Sequence, residues 1–377
     1  MEILHLAIAL GLLIWIIILL LPSRPYSTKE SLEIDPNESE LLVNLAEVTV
    51  LIPARNESST IIKSLSSLKF HDPKIKIILV DDQSDDNTTE VANSIGIENL
   101  KILSGRELPL GWSGKLWALE QGRKYIETDY LLLLDADIVV KPGLIMKMLY
   151  KAKKHDLKLV SLMVHLRMIS FWEKLLMPAF IFFFKLIYPF HLSNLPHSKI
   201  AAAAGGCMLI ETKVLKELDG FKSIKNALID DCSLAKKIKQ KGYKIWTGLT
   251  ISAVSIRRYN QLSTIWKMVS RTAYTQLNYS PLLLFLCIIL MIVAFVIPYI
   301  AIFQTERVNI IVGIATLCIQ SICYLPILRY YSMNTIYAFL LPLVAMFYLF
   351  FTLSSAYSYY FNKGVTWKKR YYKKLEK

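Results

Sequence analysis

The sequence predicts an α/β domain, a mainly parallel sheet covered on both faces, flanked along the chain by helices that suit a membrane. Three observations lead there. Short apolar runs alternate with helical patterns from Glu47 to about Ser255. Residues 3–21 carry no charge, and about 20 apolar residues span a bilayer as a helix. Three further apolar segments follow Ser280.

With 377 residues, the chain is too long for one ordinary domain and short for three. A hydrophobic share of 54% and a mean hydropathy of +0.40 fit one soluble domain plus membrane segments. The net charge of +14 first suggests nucleic acid. Its distribution argues otherwise. Lys368, Lys369, Arg370, Lys373 and Lys374 cluster just after apolar segments. A basic run there faces anionic lipid or follows the positive-inside bias. The expected partner is a lipid bilayer, with no nucleic acid. The five cysteines show no paired spacing, and no two histidines stand at ligand spacing on one helix.

Residues 1–24 read as an uncleaved transmembrane anchor, because Met1-Glu2 offers no basic n-region before the apolar run. Arg24 and Lys29 then put the next segment on the cytoplasmic side of the cell (inner) membrane. Residues 25–46 are polar and read as a linker. The sheet domain is expected over 47–255. Its strands are VTVLIP (48–53), IKIILVDD (75–82), LKIL (100–103), YLLLLDAD (130–137) and LKLVSLMV (157–164). Amphipathic stretches at 58–69, 86–96, 115–126 and 143–154 lie between them.

FWEKLLMPAFIFFFKLIYPF (171–190) is apolar but holds Glu173, Lys174, Lys185 and two prolines. A full crossing would also separate Asp137 from Asp231. An amphipathic segment lying in the membrane interface is expected, with a buried core helix as the rival. Residues 256–280 read as another amphipathic interface segment. Residues 281–361 read as multi-pass transmembrane helices near 282–303, 308–328 and 335–353, and 362–377 as a basic tail. Three crossings from a cytoplasmic domain put that tail outside, against the positive-inside bias. A re-entrant segment or a different anchor count would reconcile the two.

Ligands of open α/β sheets sit at the carboxyl ends of the strands, and polar residues cluster there. In LLLLDADIVV (131–140), Asp135 and Asp137 end an apolar run. Alternate strand residues share a face, and hard divalent cations join carboxylates to substrate phosphates. The rival is a helix cap plus a solvated carboxylate. In VDDQSDD (80–86), Asp81 and Asp82 could accept the imide N–H of a pyrimidine or make an Asx-turn. In VLIPARNES (50–58), Arg55 could pair with phosphate, and Asn56 or Ser58 could cap the next helix.

Lys115 in GWSGKLWALEQG (111–122) stands at a helix start, which favours an anion. The small residues Ala204–Gly206 in AAAAGGCML (201–209) would let a sugar or backbone approach, or simply pack tightly. In ALIDDCSLAKKIKQKG (227–242), Asp231 is a general base or an N-cap, and Asp230 and Asp231 can divide those roles.

In this order, PARNES, VDDQSDDNT, GWSGKLWAL, DAD and LIDDCSLAKKI resemble the inverting family 2 glycosyltransferases. Their fold is GT-A, the Rossmann-like architecture of nucleotide-diphospho-sugar transferases. GWSGKLWALEQG, FIFFFKLIYPF, AAAAGGCML, LIDDCSLA, WKMVSRTAYTQLNYSPLLL (266–284) and VTWKKR look like the hopene-associated subfamily, over nearly the whole chain. The resemblance implies that Pro53, Arg55, Glu57 and Asp82 hold the nucleotide. Asp135 and Asp137 would hold Mg²⁺ or Mn²⁺ and the diphosphate, Asp137 more directly. Asp231 would be the base, with Asp230 beside it.

Lys115, Gly206 and Arg258 join these as substrate contacts from the readings of the residues. The implied partners are a nucleotide-sugar donor and a membrane lipid acceptor, a hopanoid by the subfamily. The family's T/E-E-D motif here reads Ile229-Asp230-Asp231. Its processive members carry Q-x-x-R-W, whereas Gln261 and Trp266 have neither that spacing nor an Arg between them. Arg257, Arg258, Trp266 and Arg271 could line an acceptor entrance or anchor at the lipid interface. Transfer to a polyprenyl phosphate and a non-catalytic nucleotide-binding scaffold remain as alternatives.

Overall fold

The computed structural model describes residues 2–34, 43–69, 71, 74–361, 364–367 and 370–373. The basic tail therefore lies partly outside the described residues. The chain divides into two compact units. One comprises Glu30–Arg167 with Phe190–Arg258, the other Met1–Lys29, Met168–Pro189 and Tyr259–Lys377.

The first unit is built on eight strands. They are β1 (Val48–Ala54), β2 (Lys76–Asp81), β3 (Leu100–Ser104), β4 (Tyr130–Leu134), β5 (Ile138–Val140), β6 (Leu159–His165), β7 (Cys207–Glu211) and β8 (Ile245–Ser255). Their order is β3-β2-β1-β4-β7-β6-β8-β5. The sheet is mixed, which corrects the mainly parallel expectation. β1, β2, β3 and β4 run parallel, as do β6 and β8. β7 lies antiparallel between β4 and β6, and β5 is antiparallel to β8. The Ala201–Gly206 run carries little side chain to announce a strand, and it delivers β7 into the middle of the sheet.

Alternation along each strand feeds two cores. Val50, Ile52, Leu132 and Leu134 pack on one face with Ile61, Leu65, Met148 and Leu149 of the Ser58–Lys69 and Leu144–His155 helices. Leu51, Leu131 and Leu133 face the other way, toward Leu116, Leu119, Leu234 and Ile238 of the Gly114–Arg123 and Asp230–Gln240 helices. Both faces are thus covered. Part of the expected linker is also sheet-bound: Ser31 bridges to Leu249, and Glu33 Oε1 accepts from the Ile251 N–H at 2.8 Å.

The second unit is mainly helical, with one antiparallel strand pair, Gly364–Trp367 and Arg370–Lys373. Among the described residues, four of its helices are long and apolar enough to cross a membrane: Glu2–Leu20, Pro281–Ala301, Arg307–Tyr330 and Thr335–Phe361. The segment expected to lie in a membrane interface forms the helix Phe171–Ile187, started by a capping box between Ser170 and Glu173. Leu176, Ile181 and Phe182 are fully buried. Phe182 packs on Trp15 and Tyr324, and the Tyr348 hydroxyl donates to the Leu176 carbonyl at 2.8 Å. Its charges follow suit, because the buried Lys185 ammonium donates to the Ser27 carbonyl. The residues of the lapsed Q-x-x-R-W comparison pack here as well. Gln261 precedes the Leu262–Ser270 helix, and Trp266 lies edge-on to Phe351 with ring centroids 5.0 Å apart.

Pro298 supplies no N–H to the turn before it, and residues Ile292–Val296 form a π-helical segment. The Ala294 carbonyl is satisfied from outside its own helix, by Trp15 Nε1–H at 2.8 Å and Gln320 Nε2–H at 2.9 Å. A buried carbonyl left without a donor costs about 1–3 kcal/mol. The double variant Trp15→Phe/Gln320→Leu is therefore expected to lose stability on that scale, and each single variant clearly less, measured by thermal unfolding in detergent.

Candidate active site

The parallel register of β1, β2 and β4 brings three sequence clusters to one edge. β1 ends in Pro53-Ala54-Arg55, β2 in Asp81-Asp82 and β4 in Asp135. The first two loops are bonded to each other. Asn56 and Gln83, both left-handed with φ 51° and 56°, turn the chain back. The Asn56 N–H donates to Ser84 Oγ at 2.9 Å, and Asn56 Oδ1 accepts from the Asp85 N–H at 2.8 Å. The Glu57 N–H donates to Thr88 Oγ1, and the Ser58 N–H to Asp86 Oδ2. Asp81 accepts from Ser84, the Asx-type arrangement at this strand end.

Arg55 belongs to the same frame. Its guanidinium donates to the carbonyls of Asp82 and Gln83. It is a buried strut for the β2 loop. Asp82 is buried at the end of β2. Glu57 is buried and accepts from Arg257 and Thr60.

The two carboxylates of the DAD stretch do not share one partner. β4 stops at Leu134 and the chain turns before β5, so the strict strand alternation behind the expectation fails. Asp135 Oδ1 takes the Lys115 ammonium at 2.8 Å. Asp137 Oδ1 takes Arg257 Nη2 at 2.9 Å, and its Oδ2 accepts from the Ser255 hydroxyl at 2.6 Å. The Ile256 N–H also donates to the Asp137 carbonyl at 2.9 Å. Three consecutive residues at the end of β8 thus grip Asp137. Arg257 Nη2 reaches Glu57 Oε1 at 2.6 Å as well. Burial pulls the Arg257 pKa down, but Asp137 and Glu57 hold it above its ordinary value.

On the other side of Asp135 lie Asp230 and Asp231, in the first turn of their helix. Lys115 Nζ stands 3.9 Å from Asp230 Oδ2. The Gly205 N–H donates to Asp231 Oδ2 at 2.8 Å, and the Cys232 N–H to Asp231 Oδ1 at 2.7 Å. A Cβ on Gly205 would come within 3.3 Å of both Asp231 Oδ2 and Lys115 Nζ. Asp135, Lys115, Asp230 and Asp231 therefore form one cluster around a glycine. Within the small run Ala204–Gly206, it is Gly205 that the Asp231 and Lys115 side chains approach closely. Gly206 serves through its carbonyl, which accepts from the Asp135 N–H at 3.1 Å. Pro53, Lys115, Asp135, Gly205 and Asp230 line one cleft.

The alanines before Gly205 are pinned. The Ala204 N–H donates to Ser161 Oγ and the Ala202 N–H to Ser193 Oγ, both at 2.8 Å, and Thr247 Oγ1 donates to the Ala202 carbonyl. From the Asp231 helix, Lys239 Nζ donates to the carbonyls of Ser193 and Ile200, each at 2.7 Å.

Burial and the neighbouring Asp230 charge push Asp231 up from the usual carboxylate range to about 7. The Cys232 N–H, Lys115 and the Gly205 N–H oppose that rise. Burial also lowers the Lys115 pKa, but Asp135 and Asp230 outweigh it and hold the ammonium charged. Burial raises Asp135, against Lys115.

Of the adjacent arginines Arg257 and Arg258 that the sequence offers, Arg258 is exposed and Arg257 is drawn in. Ser255 carried no signal in the sequence. The two arginines are adjacent in IRRYN, and only the β5–β8 register, Ile138 opposite Ser255, decides between them. No group of three or more His, Cys, Asp or Glu at metal-binding spacing occurs among the described residues. Asp135 and Asp137 still offer the hard oxygen donors that fit a magnesium-type cation, which is commonly held by one or two carboxylates plus substrate phosphates.

Residues 49–219 match the model of Glycosyl transferase family 2. The chain is 34% identical over 91 residues to 4,4'-diaponeurosporenoate glycosyltransferase of Staphylococcus haemolyticus, 24% of each chain. It is 26% identical over 250 residues to poly-beta-1,6-N-acetyl-D-glucosamine synthase of Staphylococcus aureus, 66% of this chain and 54% of that one. The chain thus spans about half the length, or less, of these curated relatives. A mannosyltransferase from Pyrobaculum calidifontis, solved in complex with GDP-Man and Mn²⁺, shares the fold. The TM-score is 0.57 at 15% identity, over 96% of this chain and 99% of that one. The fold is a mixed α/β GT-A fold.

Asp231 is expected to gain its charge near neutral pH. Infrared difference spectra should show a protonated carboxyl band that fades as pH rises through about 7 and is absent from Asp231→Asn. Lys115→Met removes a cation that favours the carboxylate, so the band should persist to higher pH. Because the folded state keeps this proton longer than the unfolded chain, Asp231 contributes stability that declines as pH climbs from the ordinary carboxylate range through about 7.

Proposed function

We propose that this family 2 glycosyltransferase domain belongs to a membrane-bound inverting glycosyltransferase that moves a sugar from a nucleotide-sugar donor to a lipid acceptor. The observation that carries the reading is the cluster at Gly205. A carboxylate with a pKa raised toward neutrality faces, across a residue without a side chain, the Lys115–Asp135 pair at the end of β4. A general base is most effective when its pKa lies near the working pH. Asp231 takes the proton of the acceptor hydroxyl. The acceptor oxygen forms the new bond to the anomeric carbon as the bond to the diphosphate oxygen breaks on the opposite face. The nucleoside diphosphate leaves with the electron pair.

Asp230 sustains the raised pKa of its neighbour, and Lys115 supplies positive charge toward the leaving group. Asp135 and Asp137 would hold Mg²⁺ or Mn²⁺, which when bound supplies further neutralisation of the diphosphate. Pro53, Glu57 and Asp82 form the nucleotide end of the cleft, with Arg55 as its internal brace. The identity of the donor sugar is open to any nucleotide sugar.

The lipid acceptor is supported by the four helices long and apolar enough to cross a membrane. In this reading the anchor is residues 1–24, the catalytic domain is cytoplasmic and the acceptor is delivered from the bilayer. A polycyclic isoprenoid such as a hopanoid is the acceptor that the subfamily resemblance supports. The packing of Trp266 on Phe351 and the absent Q-x-x-R-W spacing favour single transfer over polymerisation.

Full-length protein in lipid, given Mn²⁺ or Mg²⁺ and a panel of radiolabelled nucleotide sugars, is expected to move label into the organic phase. No label from any donor would sink the reading. Asp231→Asn is expected to lower turnover by roughly 10²–10⁴-fold. Normal turnover in that variant would turn the assignment toward an already anionic acceptor such as a polyprenyl phosphate, which needs no base.

A further inference from the structure

Arg257 occupies an unusual position. One nitrogen, Nη2, serves Glu57 Oε1 and Asp137 Oδ1 together. Both carboxylates are nearly sealed, with side-chain exposures of 7% and 8%. Asp137 Oδ2 is already taken by the Ser255 hydroxyl. An incoming cation at Asp137 therefore meets a carboxylate whose two oxygens are both engaged. Two cations on one buried carboxylate oxygen repel strongly.

We propose that Arg257 is a resident counter-cation that competes with the divalent metal for Asp137, so that metal binds well only together with the nucleotide. The inference rests on Asp135 and Asp137 being the metal-binding residues. Glu57 gives the displaced guanidinium a second anchor, so Arg257 gives up one partner without entering solvent. The diphosphate supplies the oxygens and negative charge that make the exchange favourable. Arg257 keeps Glu57 and Asp137 from facing each other as bare charges.

The test is Mn²⁺ binding to full-length protein in detergent, read from the paramagnetic resonance signal of free Mn²⁺, without donor and without catalysis. Wild type is expected to bind Mn²⁺ weakly alone and more tightly with GDP or UDP. Arg257→Gln should bind Mn²⁺ alone roughly tenfold more tightly, the equivalent of one charge-assisted hydrogen bond removed from competition. The added effect of nucleotide should shrink accordingly. Arg257→Lys keeps the charge but cannot bridge two carboxylates in the same way, and should fall between the two. That variant separates local competition from a general loss of positive charge, and it carries the test if Arg257→Gln does not fold. Unchanged or weaker Mn²⁺ binding in both variants would overturn the proposal. Asp137→Asn distinguishes the failures. If it abolishes Mn²⁺ binding with nucleotide present, the metal assignment stands and Arg257 alone is judged by its variants. If it leaves binding intact, the metal assignment fails and the competition proposal falls with it.

Discussion

The Lys115 ammonium holds the acidic centre of this domain together. It sits at the start of the Gly114–Arg123 helix and bonds Asp135 at 2.8 Å while standing 3.9 Å from Asp230. Charges of one sign are costly to gather in a partly buried cleft. Without a cation in their midst, Asp135, Asp230 and Asp231 could not share the end of a strand with the first turn of a helix. The consequence runs outward. Residue 205, where a side chain would crowd Lys115 and Asp231, is a glycine, and it is held by an alanine segment pinned to Ser161, Ser193 and Thr247.

A second cation organises the other half. Arg257 joins the loop after β1 to the turn after β4, with Ser255 and Ile256 fastening the same aspartate. The two carboxylates of DAD, one residue apart, thus belong to two electrostatic neighbourhoods. One is centred on an ammonium and faces the raised Asp231. The other is centred on a guanidinium and faces the loop beginning at Asn56. The turn that ends β4 at Leu134 produces this division, since a continued strand would have aimed both carboxylates the same way.

Much of this was legible in the residues. β1, β2 and β6 fall within a few residues of the apolar runs, because a strand buried on both faces has to be written as a near-continuous apolar stretch; the edge strand β3 also matches its run, with its residues only partly buried or exposed. The acidic clusters at strand ends also met as expected, since parallel strands put their carboxyl ends on one edge. The rest depends on pairing that local sequence does not encode. β7 is introduced by alanines and glycines, so its antiparallel insertion has no local signal. Which residue of Ala204–Gly206, and which of Arg257 and Arg258, meets a carboxylate is a one-residue distinction that the local sequence leaves open. Arg55 braces the carbonyls of Asp82 and Gln83, a tertiary bond that the local sequence does not signal. In the Phe171–Ile187 helix, Glu173 closes a capping box and Lys185 donates to the Ser27 carbonyl, pairings that the sequence does not announce.

Lys239 ties the carbonyls of Ser193 and Ile200 to the helix that begins with Asp230 and Asp231. The eight residues from Ser193 to Ile200 are thereby yoked, at both ends, to the same rod that bears Asp231. A shove on that connection, from whatever molecule brushes it, would be felt as a rotation or slide of the rod rather than lost in slack. The chain has a lever where an ordinary loop would have been a cushion.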